Sequence, residues 1–155
     1  MDDYHKEIVG YAVHETLETQ GCLSALDMAL RKTVHKRTQR LIHHSDRGTQ
    51  YASTAYVKKL KDNGIEVSIT ETGNPKENAA SERINNTIKN ELLKGERFSS
   101  VRQVRETLAQ RIRFYNEERP HMSLDMRSPL ECRLMTGVIN KRWNRKREKH
   151  LKPEE

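Results

Sequence analysis

The chain has 155 residues, of which 34% are hydrophobic and 33% are charged. Its 29 Lys and Arg against 22 Asp and Glu give a formal net charge of +7, which favours a polyanionic partner. No apolar run is long enough to span a membrane, and the opening MDDYHKEIVGYAV does not resemble a signal peptide. Cys22 and Cys132 lie far apart and outside any CxxC motif, so we expect reduced thiols in a cytoplasmic protein rather than disulfides or a zinc site.

The order of apolar patterns predicts an α/β fold with right-handed crossovers. Gly10, within the first predicted strand, marks either a bulge or a point of close backbone approach. Only three strands are predicted, which is few for so many helices. In chain order we predict a strand over residues 6–13, a helix over 16–34, a strand over 40–44, a helix over 53–63, a strand over 65–69, a polar loop over 71–78, helices over 79–93 and 99–115, and a short helix over 128–134.

Asp46 is the first candidate functional residue, because it follows a predicted strand in the sequence HHSDRG. Ligands of α/β proteins usually bind beyond the carboxyl ends of strands, and Gly48 lets the chain turn away from the carboxylate. The alternative is that Asp46 is an ordinary turn residue.

The helix predicted over residues 79–93 carries the second candidate. Glu82, Asn86 and Lys89 are spaced four and then three residues apart, so a carboxylate, an amide and an ammonium group share one helix face. A solvated face with incidental charges is the alternative.

Three motifs in a fixed order carry a family resemblance. HSDRGTQY is followed by Glu82 within ENAASERINNTIKNE, with 35 residues between Asp46 and Glu82, and then by RFYNEERPHMSLDMRSPLE. Together they resemble the integrase-type (DDE) catalytic core of transposases encoded by the second reading frame (OrfB) of bacterial insertion sequences, which are similar to retroviral integrases. The resemblance extends from about Asp2 to Leu134.

The resemblance implies a ribonuclease H-like α/β fold and DNA cutting and joining in transposition or DNA integration. It assigns Asp46 and Glu82 to two of three catalytic carboxylates, which in the family hold two Mg²⁺ (or Mn²⁺) ions. Two such metals activate the attacking oxygen and stabilise the leaving oxygen of a phosphodiester, and hard oxygen ligands suit Mg²⁺. It also implies DNA contact by Lys89, with Arg83 and Asn86 beside it.

Arg119 and His121 are further candidates for DNA contact, because they belong to a segment that resembles the family's FYN-x-x-R-x-H sequence. The alternative is a structural role, in which this segment pins the last long helix to the core through hydrogen bonds of Tyr115 and Asn116.

The C-terminal end of the chain is strongly basic. Residues 141–152 read KRWNRKREKHLK, with seven Lys or Arg and one acid. Trp143 either stacks on a base or packs back on the body of a solvated tail. We therefore divide the chain into a partial integrase core, residues 1–135, and a basic tail, residues 136–155. The predicted DNA-contacting residues of the tail are Lys141, Arg142, Trp143, Arg145, Lys146 and Arg147.

One feature of the family has no counterpart in the sequence. The first catalytic Asp lies in a W-x-x-D-x-T segment on the family's first strand, whereas Asp2 matches an acid before the third strand. We therefore expect an incomplete ribonuclease H-like sheet without its first two strands, an exposed sheet edge, and a weak or incomplete metal site.

Three functions are consistent with these features. The first is a DDE transposase core, and the second is a truncated, inactive remnant that only binds nucleic acid. The third is a small basic protein unrelated to transposition, against which the spacing of Asp46 and Glu82 argues. The resemblance also implies three partners: the DNA of the element ends and of the target, further copies of the chain in a homo-oligomer on DNA, and a separate helix-turn-helix subunit or frame. It implies no membrane association and a location in the bacterial cytoplasm, on the nucleoid when DNA is bound.

Overall fold

The computed structural model describes residues 1–33, 41–70 and 79–142. The chain divides into two compact units. The sheet unit is Val9–Glu106, and the terminal unit combines Met1–Ile8 with the chain from Thr107 onwards. The elements are α1 (Thr19–Thr33), β1 (Ile42–Ser45), α2 (Thr49–Ala52), α3 (Thr54–Asp62), β2 (Glu66–Ile69), α4 (Ala79–Thr87), a π-helical turn (Ile88–Leu92), α5 (Val101–Glu117), a 3-10 turn (Met122–Leu124) and α6 (Pro129–Cys132).

The sheet unit contains a parallel pair of strands. β1 and β2 are in register from Ile42 opposite Glu66 to Ser45 opposite Ile69. Both strands were predicted, and their parallel pairing follows from the helix α3 that connects them. The side chain of Ser53 caps α3 by accepting a hydrogen bond from the Tyr56 N–H at 3.3 Å, as its position predicts.

Helix α1 packs against α2 and α3 and supplies one side of the core of the sheet unit. Leu26, Tyr56 and Leu60 are its buried centre. The helix was predicted from residue 16, and it begins at Thr19. Partly buried neighbours complete this core: Cys22, Leu23, Leu30, Tyr51, Ile65 and Val67.

Gly10 is a point of close approach between the N-terminal segment and α1. A Cβ atom at this position would lie 2.1 Å from the carbonyl oxygen of Ala25 and 3.0 Å from the amide nitrogen of Ala29. Both neighbours are helix backbone, so they cannot rotate away as a side chain would. The close-approach interpretation of Gly10 is therefore confirmed.

We expect Gly10→Ala to lower the free energy of unfolding by about 1–3 kcal/mol, because the added methyl group has to push α1 away. Urea denaturation followed by circular dichroism measures this change. Ala12→Ser, at an exposed position of the same segment, is the matched control and should change stability by less than about 0.5 kcal/mol. Equal stabilities of the two variants would contradict the prediction.

The strand predicted over residues 6–13 is wrong, because none of these residues is in a strand in the part of the chain that the structure describes. A side chain, rather than a neighbouring strand, satisfies the Ile8 backbone. The Ile8 N–H donates to Asn116 Oδ1 at 2.9 Å, and the Ile8 carbonyl oxygen accepts from Asn116 Nδ2 at 3.1 Å. Two strands are thus described where three were predicted.

The terminal unit is built around the second half of α5, whose buried residues include Ile112 and Tyr115. An ion pair between the buried Glu7 and the partly exposed Arg133 joins its two chain segments: the Glu7 carboxylate accepts from Arg133 Nε at 3.1 Å and also from Arg133 Nη2. Helix α6 begins with a capping box, in which the Ser128 hydroxyl accepts from the Glu131 N–H at 3.4 Å. The Ser128 N–H in turn donates to the Glu131 carboxylate, which holds the pKa of that carboxyl below its usual value.

The helices predicted over residues 99–115 and 128–134 are therefore confirmed, with observed bounds of Val101–Glu117 and Pro129–Cys132. None of the described helices combines the length and the apolar character needed to cross a membrane. Cys22 and Cys132 are both free thiols.

Candidate active site

Asp46 lies directly after β1, as predicted, at the carboxyl end of the parallel pair. Its side chain is exposed, and its Oδ1 accepts a hydrogen bond from the Gly48 N–H at 3.0 Å. A Cβ atom at Gly48 would lie 3.0 Å from that oxygen and 2.6 Å from Gln50 Nε2. A side chain at position 48 would therefore displace the Gln50 and Asp46 side chains, whereas the φ of −55° at Gly48 is open to any residue.

The turn that carries Asp46 is fastened to the end of β2. The Thr70 N–H donates to the Ser45 carbonyl at 3.0 Å, and Arg47 Nε donates to the Thr70 carbonyl at 2.9 Å. Ser45 and Thr70 are both buried. The two residues that flank Asp46 are therefore fixed to the sheet, and the carboxylate projects from a well-supported edge.

His43, on β1, forms a cluster of polar rings with Tyr51 and Tyr56. This cluster was not predicted from the sequence. The Tyr56 hydroxyl is 3.0 Å from His43 Nε2, and the ring of Tyr51 lies 5.5 Å from that of Tyr56 and 6.4 Å from that of His43 between centroids. His43 Nδ1 is buried without a hydrogen-bond partner among the described residues. The available signal was the presence of two tyrosines within ten residues of Asp46 in a chain with only 5% aromatic residues.

Burial keeps this cluster uncharged. It lowers the pKa of His43, which favours the neutral imidazole. It also raises the pKa of the Tyr51 hydroxyl to about 12, with smaller contributions from Cys22 and Asp46, and it raises the pKa of the Cys22 thiol.

Glu82 lies on α4 and is exposed. It lines an open groove of about 460 Å³, in which it is joined by two of the predicted DNA-contacting residues, Arg83 and Asn86. The same helix face therefore presents a carboxylate, a guanidinium group and an amide. The other residues that line the groove are Ala79, Thr87, Asn90 and Glu91.

Lys89 is exposed and lies in the π-helical turn that follows α4. The Leu93 N–H donates to the Ile88 carbonyl at 2.9 Å, which is the i to i−5 bond of a π-helix. This wider turn changes the side-chain spacing after Thr87, and Lys89 is outside the set of residues that lines the groove. The helix predicted over residues 79–93 is continuous, but its last part is not an α-helix.

The described residues fit a divalent metal only in part. Asp46 and Glu82 offer the hard oxygen donors that Mg²⁺ prefers. Across residues 1–33, 41–70 and 79–142, however, no three His, Cys, Asp or Glu side chains form a group that could hold a metal ion. These residues do not make a complete ligand set by themselves, so the two-metal site stays a prediction.

Arg119 and His121 belong to the terminal unit and contact each other. The Arg119 guanidinium lies over the ring of Tyr115, 5.5 Å from its centroid, and Arg119 Nη1 is 3.3 Å from His121 Nε2. Asn116 makes the two bonds to Ile8 described above, which confirms for this residue the structural role considered from the sequence. DNA contact by Arg119 and His121 stays a prediction.

The start of the basic tail is anchored to the terminal unit. Lys141 and Arg142 are exposed, and the Arg142 N–H donates to the Met122 carbonyl at 2.9 Å. Four predicted DNA-contacting residues, Trp143, Arg145, Lys146 and Arg147, lie outside the described residues, as does the loop over residues 71–78. The predicted boundary between residues 135 and 136 stays a prediction.

Comparison with known proteins defines the class of this chain. Two family profiles, both described as integrase core domain, match residues 1–75 and 63–129. The chain is 37% identical over 133 residues to the insertion element IS600 uncharacterized 31 kDa protein of Shigella sonnei, covering 85% of this chain and 48% of that protein. It is 32% identical over 132 residues to the transposase for insertion sequence element IS629 of Shigella sonnei, covering 85% and 44%. The chain therefore spans about half the length of the curated relatives it matches.

The fold is that of retroviral integrases. A chain of the simian T-cell lymphotropic virus intasome, solved in complex with PP2A regulatory subunit B56 gamma, matches with a TM-score of 0.61 at 15% identity, over 83% of this chain and 44% of that one. The catalytic core domain of BIV integrase matches with a TM-score of 0.51 at 16% identity, over 88% and 78%. The ribonuclease H-like fold predicted from the sequence is confirmed.

The chain belongs to the integrase core domain family and is homologous to insertion-sequence transposases. This confirms the resemblance carried by the three sequence motifs.

Proposed function

We propose that the protein acts on DNA in transposition and that Asp46 and Glu82 are two carboxylates of its strand-cutting centre. The observation that carries this proposal is the position of Asp46, an exposed carboxylate in a turn fastened to both strands at the carboxyl end of a parallel pair. Ligands of α/β proteins bind at this edge. The resemblance supplies the chemistry, since members of the family cut and join DNA strands with divalent metals.

The protein's own residues prepare this edge for a cation and a phosphate. Ser45 and Arg47, on either side of Asp46, are both hydrogen-bonded to Thr70, and the Gly48 N–H holds the Asp46 carboxylate. Bound Mg²⁺ would activate the attacking oxygen and stabilise the leaving oxygen. On α4, Arg83 and Asn86 accompany Glu82 in a groove whose guanidinium and amide groups suit a phosphate backbone.

We further propose that the chain by itself binds DNA without cutting it. The described residues bring together no third ligand, and two carboxylates do not fix two metals in the geometry of in-line displacement. Cutting then requires a further acidic ligand. The family resemblance supports element-end and target DNA as substrates, a homo-oligomer on DNA, a helix-turn-helix partner, and a place in the bacterial cytoplasm, on the nucleoid when DNA is bound.

Two measurements on the purified protein test this proposal. In the first, the wild type, Asp46→Asn and Glu82→Gln should bind a labelled DNA duplex with affinities within about twofold, and none should nick supercoiled plasmid with Mg²⁺ or Mn²⁺ above a buffer control. Absence of DNA binding would refute the DNA proposal. Nicking that either substitution abolishes would refute the statement that this chain lacks a complete centre.

The second measurement locates the cation. Substoichiometric Mn²⁺ should broaden the backbone amide resonances of Arg47, Gly48 and Arg83, because a paramagnetic ion relaxes nearby protons. Asp46→Asn should remove the broadening at residues 47 and 48. Asp62→Asn, which neutralises an exposed acid paired with Lys58, is the control and should leave it unchanged. Equal broadening in the wild type and Asp46→Asn would overturn the assignment of Asp46.

A further inference from the structure

A turn in the terminal unit brings the backbones of basic residues from two segments of the chain, residues 119–127 and 141–142, close together. The His121 N–H donates to the Arg127 carbonyl at 3.0 Å, which closes the turn and places these two residues side by side. Arg119 contacts the ring of His121 from the preceding segment. Arg142 reaches the same turn from the C-terminal side, through its N–H bond to the Met122 carbonyl at 2.9 Å.

The backbone of this turn is held in an uncommon conformation. Asp125 and Met126 have φ angles of 56° and 66°, a region that residues with side chains rarely adopt. Hydrogen bonds to the His121 carbonyl, from the Leu124 N–H at 3.0 Å and the Met126 N–H at 2.8 Å, keep the turn in this form. Such strain persists only where the surrounding structure enforces it, and it concentrates at functional sites.

The charge of this surface is positive. Its four basic residues are Arg119, Arg127, Lys141 and Arg142, of which the last three are exposed. Three acids lie near them, and one of these, Glu118, directly precedes Arg119. Asp125 is in the turn itself, and the Glu131 carboxylate is held by the Ser128 N–H at 2.6 Å in the cap of α6. Arg127 contributes to the lowered pKa of Glu131, so one of the basic charges is partly offset.

We propose that this surface, the basic turn formed by residues 119–127 with Lys141 and Arg142, binds the phosphate backbone of duplex DNA, and that Arg127 is one of its contact residues. This inference rests on the proposed function, since the DNA is the same partner. Guanidinium groups bind phosphate through paired hydrogen bonds, and a rigid turn presents them without a large loss of entropy. The basic turn extends the DNA-contacting surface from the tail onto the folded body.

The test compares two double variants that each remove two arginines. Arg127→Ala with Arg142→Ala alters the basic turn. Arg102→Ala with Arg113→Ala is the matched control, since both arginines are exposed on α5 and pair with Glu106 and Glu117. Affinity for a labelled DNA duplex of about 30 base pairs is measured by fluorescence anisotropy at several salt concentrations, and circular dichroism melting checks that each variant folds.

In the turn variant, the slope of log K against log salt should fall by about 1.8, since each phosphate contact contributes about 0.9. The control should retain the wild-type slope to within about 0.5. Arg127→Lys with Arg142→Lys should restore most of the slope, because the charge returns.

Wild-type slopes in both double variants, with DNA binding intact, would overturn this inference alone. Failure of the wild type to bind DNA would instead overturn the proposed function.

Discussion

Deletion of residues 141–152 is expected to lower the affinity for duplex DNA by about 100-fold or more near 0.1 M salt. This segment holds seven Lys or Arg and one acid. Each neutralised phosphate releases condensed counterions, so the slope of log K against log salt should fall by up to about six in the deletion variant. Fluorescence anisotropy with a labelled duplex, over a range of potassium chloride concentrations, measures both quantities.

Two further variants separate charge from stacking in the tail. A scrambled tail of the same composition should keep the affinity, because contacts to phosphate carry no sequence requirement. Trp143→Ala should keep the salt slope, and it should weaken binding to single-stranded DNA by about 1–3 kcal/mol if the indole stacks on a base. An unchanged salt slope after the deletion would contradict the role of the tail.

The elements that the sequence predicted well are those fixed by local rules. Ser53 caps α3 through its own hydroxyl, and α6 begins with Ser128 and Pro129 at its cap and first helical position. Asp46 follows β1 because the strand, its end and the turn at Gly48 are consecutive in the chain. The family was predictable for a related reason, since three motifs in fixed order contain far more information than any one of them.

The features that the sequence did not predict depend on contacts between distant segments or on departures from regular geometry. The segment around Ile8 has the composition of a strand. Its backbone, however, forms hydrogen bonds with the side chain of Asn116, 108 residues away, instead of with a neighbouring strand. The spacing of apolar residues does not reveal the π-helical turn after Thr87. The prediction that Glu82, Asn86 and Lys89 share one face therefore assumed a regular α-helix. Arg127 was overlooked because only the closed turn places it beside His121.

The Asn116 side chain replaces a strand partner for the backbone of Ile8. Asn116 is 7% exposed and Ile8 is 4% exposed, so water cannot replace the amide if it is removed. We expect Asn116→Ala to lower the free energy of unfolding by about 2–5 kcal/mol, because it leaves both the N–H and the carbonyl of Ile8 buried without partners. Urea denaturation measures the loss, and exchange of the Ile8 amide proton localises it.

Asn116→Asp distinguishes the two bonds. The neutral carboxyl group can accept from the Ile8 N–H and donate its O–H to the Ile8 carbonyl, whereas the ionised carboxylate can only accept, faces the Ile8 carbonyl oxygen, and places a charge in a buried position. The Ile8 amide should therefore stay protected from exchange at low pH, where the carboxyl is neutral, and lose protection as the group ionises. Asn140→Ala, at an exposed position, should cost less than about 0.5 kcal/mol. If Asn116→Ala and Asn140→Ala unfold at the same urea concentration, the amide does not replace a strand partner, and the N-terminal segment is held by apolar packing alone.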